Sequence, residues 1–293
     1  MPRTILVTGA TGQLGRSIQS IAAEFPAFEM TFADRSVLDL ADLDAIDAYL
    51  SAHRYEVIIN CAAHTAVDKA ESEAELADRI NHLAVERLAR AAQKQGAYLL
   101  HVSTDYVFDG CHYKPYEEDH PTDPVNRYGA TKLLGEQAMC GTGVAGAIIR
   151  TSWVYSEFGN NFVKTMLRLG AERELLTVIN DQVGTPTYAG DLARVILQLV
   201  QQQGAAGTEE SGCCVYHFSN EGACSWYDFA VEIFDLTGLP CQVKPIPTTE
   251  YPTPAKRPHF SLLSKQRIKA QLGTGIAHWK HSLKQCLQKI KEQ

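Results

Sequence analysis

Short apolar segments alternate with longer segments of helical composition through the first half of the chain. The apolar segments are almost continuously hydrophobic, as in the Ile-Leu-Val and Val-Ile-Ile runs, which is typical of strands buried on both faces. This order predicts a parallel sheet with helices on both faces. The predicted strands are residues 4–8, 29–33, 57–60, 98–103 and 147–150, and the predicted helices are residues 13–23, 43–52, 74–95 and 128–139.

The second half is less regular. Residues 204–212 predict an exposed loop, and residues 245–258 hold five of the twelve prolines, which favours extended or turning backbone. The lysine-rich residues 282–293 predict a helix. We therefore expect one domain at residues 1–150 and a smaller C-terminal α/β domain over residues 151–293, with some later segments returning to the first sheet.

Composition excludes several classes of protein. The chain has 293 residues, 45% of them hydrophobic and 21% charged, as in an ordinary globular protein. A net charge of −7 argues against a nucleic-acid partner, and no apolar run approaches the roughly 20 residues that span a membrane. The N-terminal apolar stretch is too short for a signal peptide. The eight cysteines contain no Cys-x-x-Cys spacing, so we expect reduced thiols, a cytoplasmic location and no metal site.

Three glycines are regularly spaced in the turn after the first predicted strand. Residues 9–15 read GATGQLG, a G-x-x-G-x-x-G pattern between a strand and a helix. Such glycines permit a tight turn and a close approach of the backbone to a pyrophosphate, which the helix N-terminus then binds. The pattern predicts a Rossmann-type doubly wound sheet that binds a dinucleotide. The expected contacts in this loop are Gly9, Thr11, Gly12, Gln13, Leu14 and Gly15.

The second strand leaves the choice between NAD and NADP open. Asp34 lies 19 residues after Gly15, where an acidic residue hydrogen-bonds the adenosine ribose and favours NAD. Arg35 follows at once and could hold a 2′-phosphate. We expect NADPH or NADH, with NADPH slightly favoured. After the third strand, the small residues Ala62 and Ala63, followed by His64, would let the cofactor lie close.

Tyr128 and Lys132 have the spacing of a catalytic pair. They are four residues apart on a predicted helix, so both side chains lie on one face. A free tyrosine has a pKa near 10, and a neighbouring ammonium should lower this pKa, so that Tyr128 acts as a general acid toward a carbonyl. Thr104 follows the fourth strand, where its hydroxyl can donate a hydrogen bond to the same carbonyl oxygen.

These motifs resemble the dTDP-4-dehydrorhamnose reductase family of the extended short-chain dehydrogenase/reductase superfamily over nearly the whole chain. Besides the glycine loop and the Tyr128–Lys132 pair, the resemblance rests on residues 60–71 (NCAAHTAVDKAE), 103–110 (STDYVFDG) and 150–155 (RTSWVY). It implies NAD(P)H-dependent reduction of the 4-keto group of dTDP-4-dehydro-β-L-rhamnose, which gives dTDP-L-rhamnose for cell-surface polysaccharide such as lipopolysaccharide O-antigen. The C-terminal domain would then mainly bind the sugar nucleotide.

The family also implies roles for individual residues. Tyr128 would donate the proton, Lys132 would bind the cofactor ribose, and Asp39 and Leu40 would cradle the adenine. Trp153 would pack against the deoxysugar, whose apolar C–H face and methyl group suit an aromatic ring. The expected substrate contacts are Val67, Thr104, Asp105, Tyr106, Tyr128 and Trp153.

Some members of the family hold magnesium at a dimer interface through glutamates. Two of the matching positions here, near Arg16 and Gly190, carry no carboxylate, and only Glu292 could match the third, so we do not expect a magnesium-bridged dimer. A homodimer and a monomer both stay open.

Two other functions also stay open. The first is a different sugar-nucleotide reductase or epimerase; dehydration is disfavoured because Asp105-Tyr106 follows Thr104, where dehydratases have Asp-Glu. The second is a non-catalytic subunit like the regulatory subunit of methionine adenosyltransferase, which has this fold.

Overall fold

The computed structural model describes residues 2–205 and 212–293. Its strands are β1 (Arg3–Thr8), β2 (Phe28–Ala33), β3 (Val57–Asn60), β4 (Tyr98–Thr104), β5 (Gly146–Thr151), β6 (Val154–Tyr155), β7 (Leu175–Ile179), β8 (Val183–Gly184), β9 (Thr187–Tyr188), β10 (Cys213–His217), β11 (Cys224–Ser225) and β12 (Gln242–Ile246). Its α-helices are α1 (Gln13–Ile21), α2 (Leu43–Ala52), α3 (Val67–Ser72), α4 (Ala74–Asp78), α5 (Ala84–Gln95), α6 (Arg127–Gly141), α7 (Phe162–Glu172), α8 (Ala189–Ala205), α9 (Trp226–Thr237), α10 (Gln266–Leu272) and α11 (Trp279–Lys291).

A six-stranded parallel sheet organises the molecule, in the order β10-β5-β4-β3-β1-β2. The doubly wound α/β fold is confirmed, and β10 pairs with β5 as expected of a segment that returns from the second half. Neighbouring side chains of β1 enter opposite apolar layers: Ile5 and Val7 pack with α1 and α8, and Leu6 packs with α2 and α5. Burial on both faces explains why these strands carry no polar alternation.

The helix predicted at residues 74–95 is interrupted. A π-helical turn, Arg79–Leu83, separates α4 from α5. Its Asn81 side chain accepts a hydrogen bond from the His64 backbone N–H at 2.8 Å and donates one to the Thr131 hydroxyl at 3.2 Å. Because these partners are distant in sequence, periodicity alone could not predict the turn.

The second half builds a smaller apolar cluster around α7, α9, α11 and the parallel pair β7–β12. The predicted C-terminal helix is confirmed as α11, and residues 245–258 contain the end of β12 and a short 3₁₀ turn, Thr248–Glu250. Of the loop predicted at residues 204–212, residues 206–211 lie outside the described residues, and α8 continues to Ala205. Among the helices that the structure describes, none is both long and apolar enough to cross a membrane.

Candidate active site

A cleft of about 760 Å³ opens at the carboxyl edge of the large sheet. It brings together the loops after β1, β3, β4 and β5 with the first turns of α1 and α6. Most of the residues that the sequence predicts line it, from both halves of the chain: Gly9, Thr11, Gly12, Gln13, Leu14, Arg35, Asp39, Leu40, Ala62, Ala63, Val67, Thr104, Asp105, Tyr106, Tyr128, Lys132 and Trp153.

Three predicted cofactor contacts are absent from this described lining. Gly15 instead lies where α1 packs on the glycine loop. Asp34 accepts hydrogen bonds from the Ser36 hydroxyl at 2.6 Å and the Ser36 N–H at 2.8 Å, and these bonds lower the pKa of Asp34. The His64 ring pairs with Glu73 at 3.0 Å. Close packing of the backbone therefore holds Gly15 against the loop, and hydrogen bonds engage the side chains of Asp34 and His64 with neighbouring residues.

The glycine loop is shaped by close backbone contacts. Gly9 has a φ of 68°, and a Cβ there would lie 2.8 Å from the Ala62 nitrogen. A Cβ on Gly15 would collide with the Gly9 carbonyl oxygen. Helix α1 begins after Gly12, which has no side chain to cap the first turn. The backbone N–H groups of that turn are therefore left to bind an anion.

We expect Gly15→Ala to destabilise the fold and weaken dinucleotide binding. The added methyl group must push α1 away from the loop, and overpacking of this kind costs about 1–3 kcal/mol. Thermal unfolding and NADPH titration measure the two effects. Gly141→Ala is the matched control, because a Cβ there meets nothing within 4 Å. Equal stability and NADPH affinity in both variants would contradict this account of the loop.

Helix α6 presents the predicted Tyr128–Lys132 pair to the cleft. Asn126 begins the helix by accepting a hydrogen bond from the Gly129 N–H at 2.8 Å. The Lys132 ammonium group donates to the Val102 carbonyl at 2.6 Å. The Tyr128 side chain lies close to the Thr104 hydroxyl, which donates to Asp105 Oδ1 at 3.0 Å. The three predicted catalytic side chains therefore meet at one place.

Burial controls the charges of this cluster. It raises the pKa of Tyr128 to about 12, and the nearby Thr104 hydroxyl partly offsets this rise. It lowers the pKa of Lys132 to about 8, against the opposing effects of Glu136 and Cys61, and raises the pKa of Asp105 to about 7. The pKa of Tyr128 is therefore shifted upward and not downward as expected, because desolvation of the phenol is the largest effect.

A pair of stacked tryptophans forms one wall of the cleft. The Trp153 and Trp226 rings lie 3.6 Å apart at an interplanar angle of 11°. Trp153 has a φ of 49° and is the one non-glycine residue with positive φ within the described chain, a strained backbone that its surroundings must hold. Gly184 packs so closely that a Cβ there would lie 2.8 Å from the Trp153 ring. Sequence reasoning missed Trp226, because no local signal links the start of α9 to Trp153.

Known proteins resemble this chain over nearly its whole length. Residues 3–292 match the family model described as the RmlD substrate binding domain. The dTDP-4-dehydrorhamnose reductase of Aggregatibacter actinomycetemcomitans is 42% identical over 287 residues, which cover 96% of this chain and 97% of that protein. The chain belongs to the dTDP-4-dehydrorhamnose reductase family.

Solved structures of this family have the same fold. The dTDP-4-dehydrorhamnose reductase of Clostridium acetobutylicum superposes with a TM-score of 0.91 at 42% identity and covers 98% of this chain and 99% of its own. That of Bacillus anthracis, in complex with NADP, also superposes with a TM-score of 0.91, at 38% identity, and covers 99% of this chain and 100% of its own.

This member of the dTDP-4-dehydrorhamnose reductase family has a cleft that fits a nicotinamide dinucleotide. The uncapped N-terminus of α1 lies against backbone that leaves no space for side chains at Gly9 and Gly15. The buried Lys132 side chain, which contacts the Val102 carbonyl and the His101 ring, lines the same cleft. Within residues 2–205 and 212–293, no three His, Cys, Asp or Glu side chains are grouped to hold a metal ion.

Proposed function

We propose that the protein reduces the 4-keto group of dTDP-4-dehydro-β-L-rhamnose with a reduced nicotinamide cofactor and releases dTDP-L-rhamnose. The observation that carries this proposal is the meeting of Thr104, Tyr128 and Lys132 in the cleft that the glycine loop also lines. The family relationship supports the choice of sugar nucleotide, because relatives with nearly the same length are named for that reaction.

Different residues would bind different parts of the cofactor and the substrate. The loop between Gly9 and Gly15, with the first turn of α1, would hold the pyrophosphate. Lys132 would hold the nicotinamide ribose, and the stacked Trp153 would face the deoxysugar. The cofactor, when bound, supplies the hydride.

Tyr128 is suited to donate the proton. With a pKa of about 12, its phenol keeps its proton at neutral pH and can give it to an alkoxide oxygen, which is more basic. The Thr104 hydroxyl, which lies close to Tyr128, would bind the same oxygen and stabilise the charge that develops there.

Arg35 supports NADPH as the preferred cofactor. Its side chain lines the cleft and is 75% exposed, with an ion pair to Asp39 at 3.1 Å. Asp34, which would favour NADH, is engaged with Ser36. Arginine binds phosphate through paired donors, so Arg35→Ala should weaken NADPH binding about tenfold and leave NADH binding within twofold. Equal losses for the two cofactors would contradict this preference.

The tryptophan wall should govern affinity for the sugar nucleotide. We expect Trp226→Ala to raise the KM for this substrate about tenfold, because the loss of an aromatic partner worth about 0.5–1.5 kcal/mol releases the strained Trp153. The KM for the cofactor should change little. Trp226→Phe keeps an aromatic ring and should restore most of the affinity, whereas an unchanged KM in Trp226→Ala would remove Trp226 from the site. Initial-rate kinetics of the three proteins measure this.

Cofactor affinity should fall as the pH rises past about 8. The Lys132 ammonium is the form that can donate all three N–H groups, and the lowered pKa of about 8 means that this form is lost above that pH. Fluorescence titration of NADPH at pH values on both sides of 8 measures the change. Lys132→Arg stays charged throughout and serves as the control. A flat pH profile for the unmodified protein would contradict the role of Lys132.

A spectrophotometric assay tests the proposed function. The protein is mixed with NADPH, and separately with NADH, and dTDP-4-dehydrorhamnose is made in place by the preceding epimerase. Loss of reduced-nicotinamide absorbance that depends on this sugar supports the proposal. Oxidation with another 4-keto sugar nucleotide alone would favour a different reductase, and cofactor binding without any turnover would favour the non-catalytic alternative.

The proposed setting is the cytoplasm, with a small-molecule sugar nucleotide as partner and neither a nucleic acid nor a membrane. Light scattering of the eluted protein would decide between a monomer and a homodimer.

A further inference from the structure

A chain of buried polar side chains runs beneath the floor of the cleft and ends at Lys132. The Thr8 hydroxyl donates to Asn60 Oδ1 at 2.6 Å, Asn60 Nδ2 lies 3.0 Å from His101 Nδ1, and His101 Nε2 lies 3.1 Å from Lys132 Nζ. All four residues are at most 1% exposed. Polar groups this deeply buried must form hydrogen bonds with one another, because a buried polar group without a hydrogen-bond partner destabilises the fold.

The backbone decides which way Asn60 points. The Ala62 N–H donates to Asn60 Oδ1 at 3.2 Å, and this oxygen also accepts from Thr8. The amide nitrogen of Asn60 therefore faces His101, and His101 Nδ1 must accept its hydrogen bond. A neutral imidazole carries one N–H, so the proton of His101 lies on Nε2. Burial and the nearby Lys132 lower the pKa of His101 well below its ordinary value, which keeps the ring neutral.

This tautomer places an N–H donor against Lys132. An ammonium group has donors and no acceptor, so a charged Lys132 would oppose the His101 Nε2–H across 3.1 Å. The uncharged amine has a lone pair that accepts this hydrogen bond while one of its own N–H groups donates to the Val102 carbonyl. The observed contacts therefore suit the amine and penalise the ammonium.

The other groups that face Lys132 do not cancel this preference. Glu136, one turn along α6, is held by Arg150 through contacts of 3.0 and 2.7 Å, so a buried cation already neutralises it. Cys61, after β3, is uncharged because burial raises the pKa of its thiol to about 12. Tyr128, one turn before Lys132, keeps its proton with a pKa of about 12.

We propose that His101 is a positioning residue for Lys132: its Nε2–H, oriented by Asn60, donates to the Lys132 amine and destabilises the ammonium, so that Lys132 of the cofactor-free protein loses its proton more readily than an ordinary lysine does. The inference rests on the proposed function only for the role of Lys132 in holding the cofactor. It implies that cofactor binding, which uses the ammonium, is coupled to loss of the His101 hydrogen bond and, where the pH approaches or exceeds about 8, to proton uptake at Lys132.

The tautomer of His101 can be observed directly. Long-range proton–nitrogen NMR of the cofactor-free, nitrogen-15 histidine-labelled protein distinguishes a protonated ring nitrogen from an unprotonated one, and His101→Gln assigns the signal. We expect Nε2 protonated and Nδ1 unprotonated at neutral pH. A proton on Nδ1 would overturn the proposal, because Nε2 would then accept a hydrogen bond from the Lys132 ammonium and stabilise that charged form.

The charge of Lys132 provides the second measurement. Carbon-13 labelling of the lysine side chains and a pH titration give its midpoint, with Lys132→Met as the assignment control. We expect a midpoint near the pKa of about 8 in the unmodified protein. A Lys132 that stays charged up to the ordinary lysine pKa, near 10.4, would overturn the proposal.

A double-mutant cycle isolates the contribution of His101. In Asn60→Asp, the new carboxylate accepts from Nδ1–H, which moves the proton away from Nε2 and reverses its role. The Lys132 midpoint should rise by more than one pH unit, a tenfold change in its protonation equilibrium. In the His101→Leu background, the same Asn60→Asp change adds the negative charge but has no imidazole proton to move. The rise of the Lys132 midpoint should be clearly smaller there. Equal rises in both backgrounds would overturn the proposal.

None of these measurements uses the sugar or turnover. An inactive protein with the expected tautomer would therefore refute the proposed function and leave the His101–Lys132 coupling standing, and an active protein with the opposite tautomer would do the reverse.

Discussion

Tyr128→Phe is expected to lower kcat at least a hundredfold while the dissociation constant for NADPH changes less than twofold. The substitution removes the hydroxyl that we propose as the proton donor, and loss of a general acid costs about 10²–10⁴ in rate. The phenyl ring still packs against Tyr106, whose ring centre lies 5.7 Å away, so the shape of the cleft should be kept. Steady-state rates and NADPH fluorescence provide the two measurements.

Tyr113→Phe is the control for this substitution, because Tyr113 is 79% exposed and is not among the residues lining the cleft. It should leave both rate and affinity unchanged. A near-normal rate in Tyr128→Phe would remove Tyr128 from the mechanism, and an equal loss in both variants would point to a general effect of the preparation.

Lys132→Met is expected to lower kcat about a hundredfold and to weaken NADPH binding at least tenfold. Methionine fills the space of the unbranched lysine side chain but removes its N–H donors, so the cofactor loses a hydrogen-bonding partner and the Val102 carbonyl loses the donor now 2.6 Å away. Loss of affinity together with rate distinguishes this residue from Tyr128. The measurements are again kcat and the NADPH dissociation constant.

Lys284→Met, on the exposed side of α11, tests whether loss of any lysine has this effect. It should behave as the unmodified protein does. If Lys132→Met kept both its rate and its affinity, the Tyr128–Lys132 pair would have only a structural role.

The parts of the fold that depend on local pattern could be predicted from the sequence. The strand at Val57–Asn60 and the helix at Leu43–Ala52 have the predicted bounds, because continuous burial and helical periodicity are properties of neighbouring residues. The glycine loop could also be predicted, because the strand before it and the helix after it are its neighbours in sequence. The rule that parallel strands end at one edge placed Thr104 at the crevice, and the resemblance to the superfamily grouped Thr104 with Tyr128.

Contacts between distant segments could not be predicted in the same way. A local contact was also missed: Asp34 stands where an acidic residue often binds ribose, yet Ser36, two residues later, engages its carboxylate. The stack of Trp153 on Trp226 joins residues that are 73 positions apart, and the approach of His101 to Lys132 joins a strand to a helix 31 positions later. Burial reversed the expected direction of the pKa of Tyr128, because the sequence shows which charges are neighbours but not how completely water is excluded.

Transfer of deuterium tests the central claim most directly. The protein is incubated with dTDP-4-dehydrorhamnose and NADPH that carries deuterium at the transferable position of the nicotinamide, and the sugar product is analysed by mass spectrometry and NMR. The account predicts dTDP-L-rhamnose with deuterium at C4, at a rate that Tyr128→Phe reduces at least a hundredfold. Unlabelled product, deuterium at another carbon, or no product from folded protein that binds NADPH would contradict it.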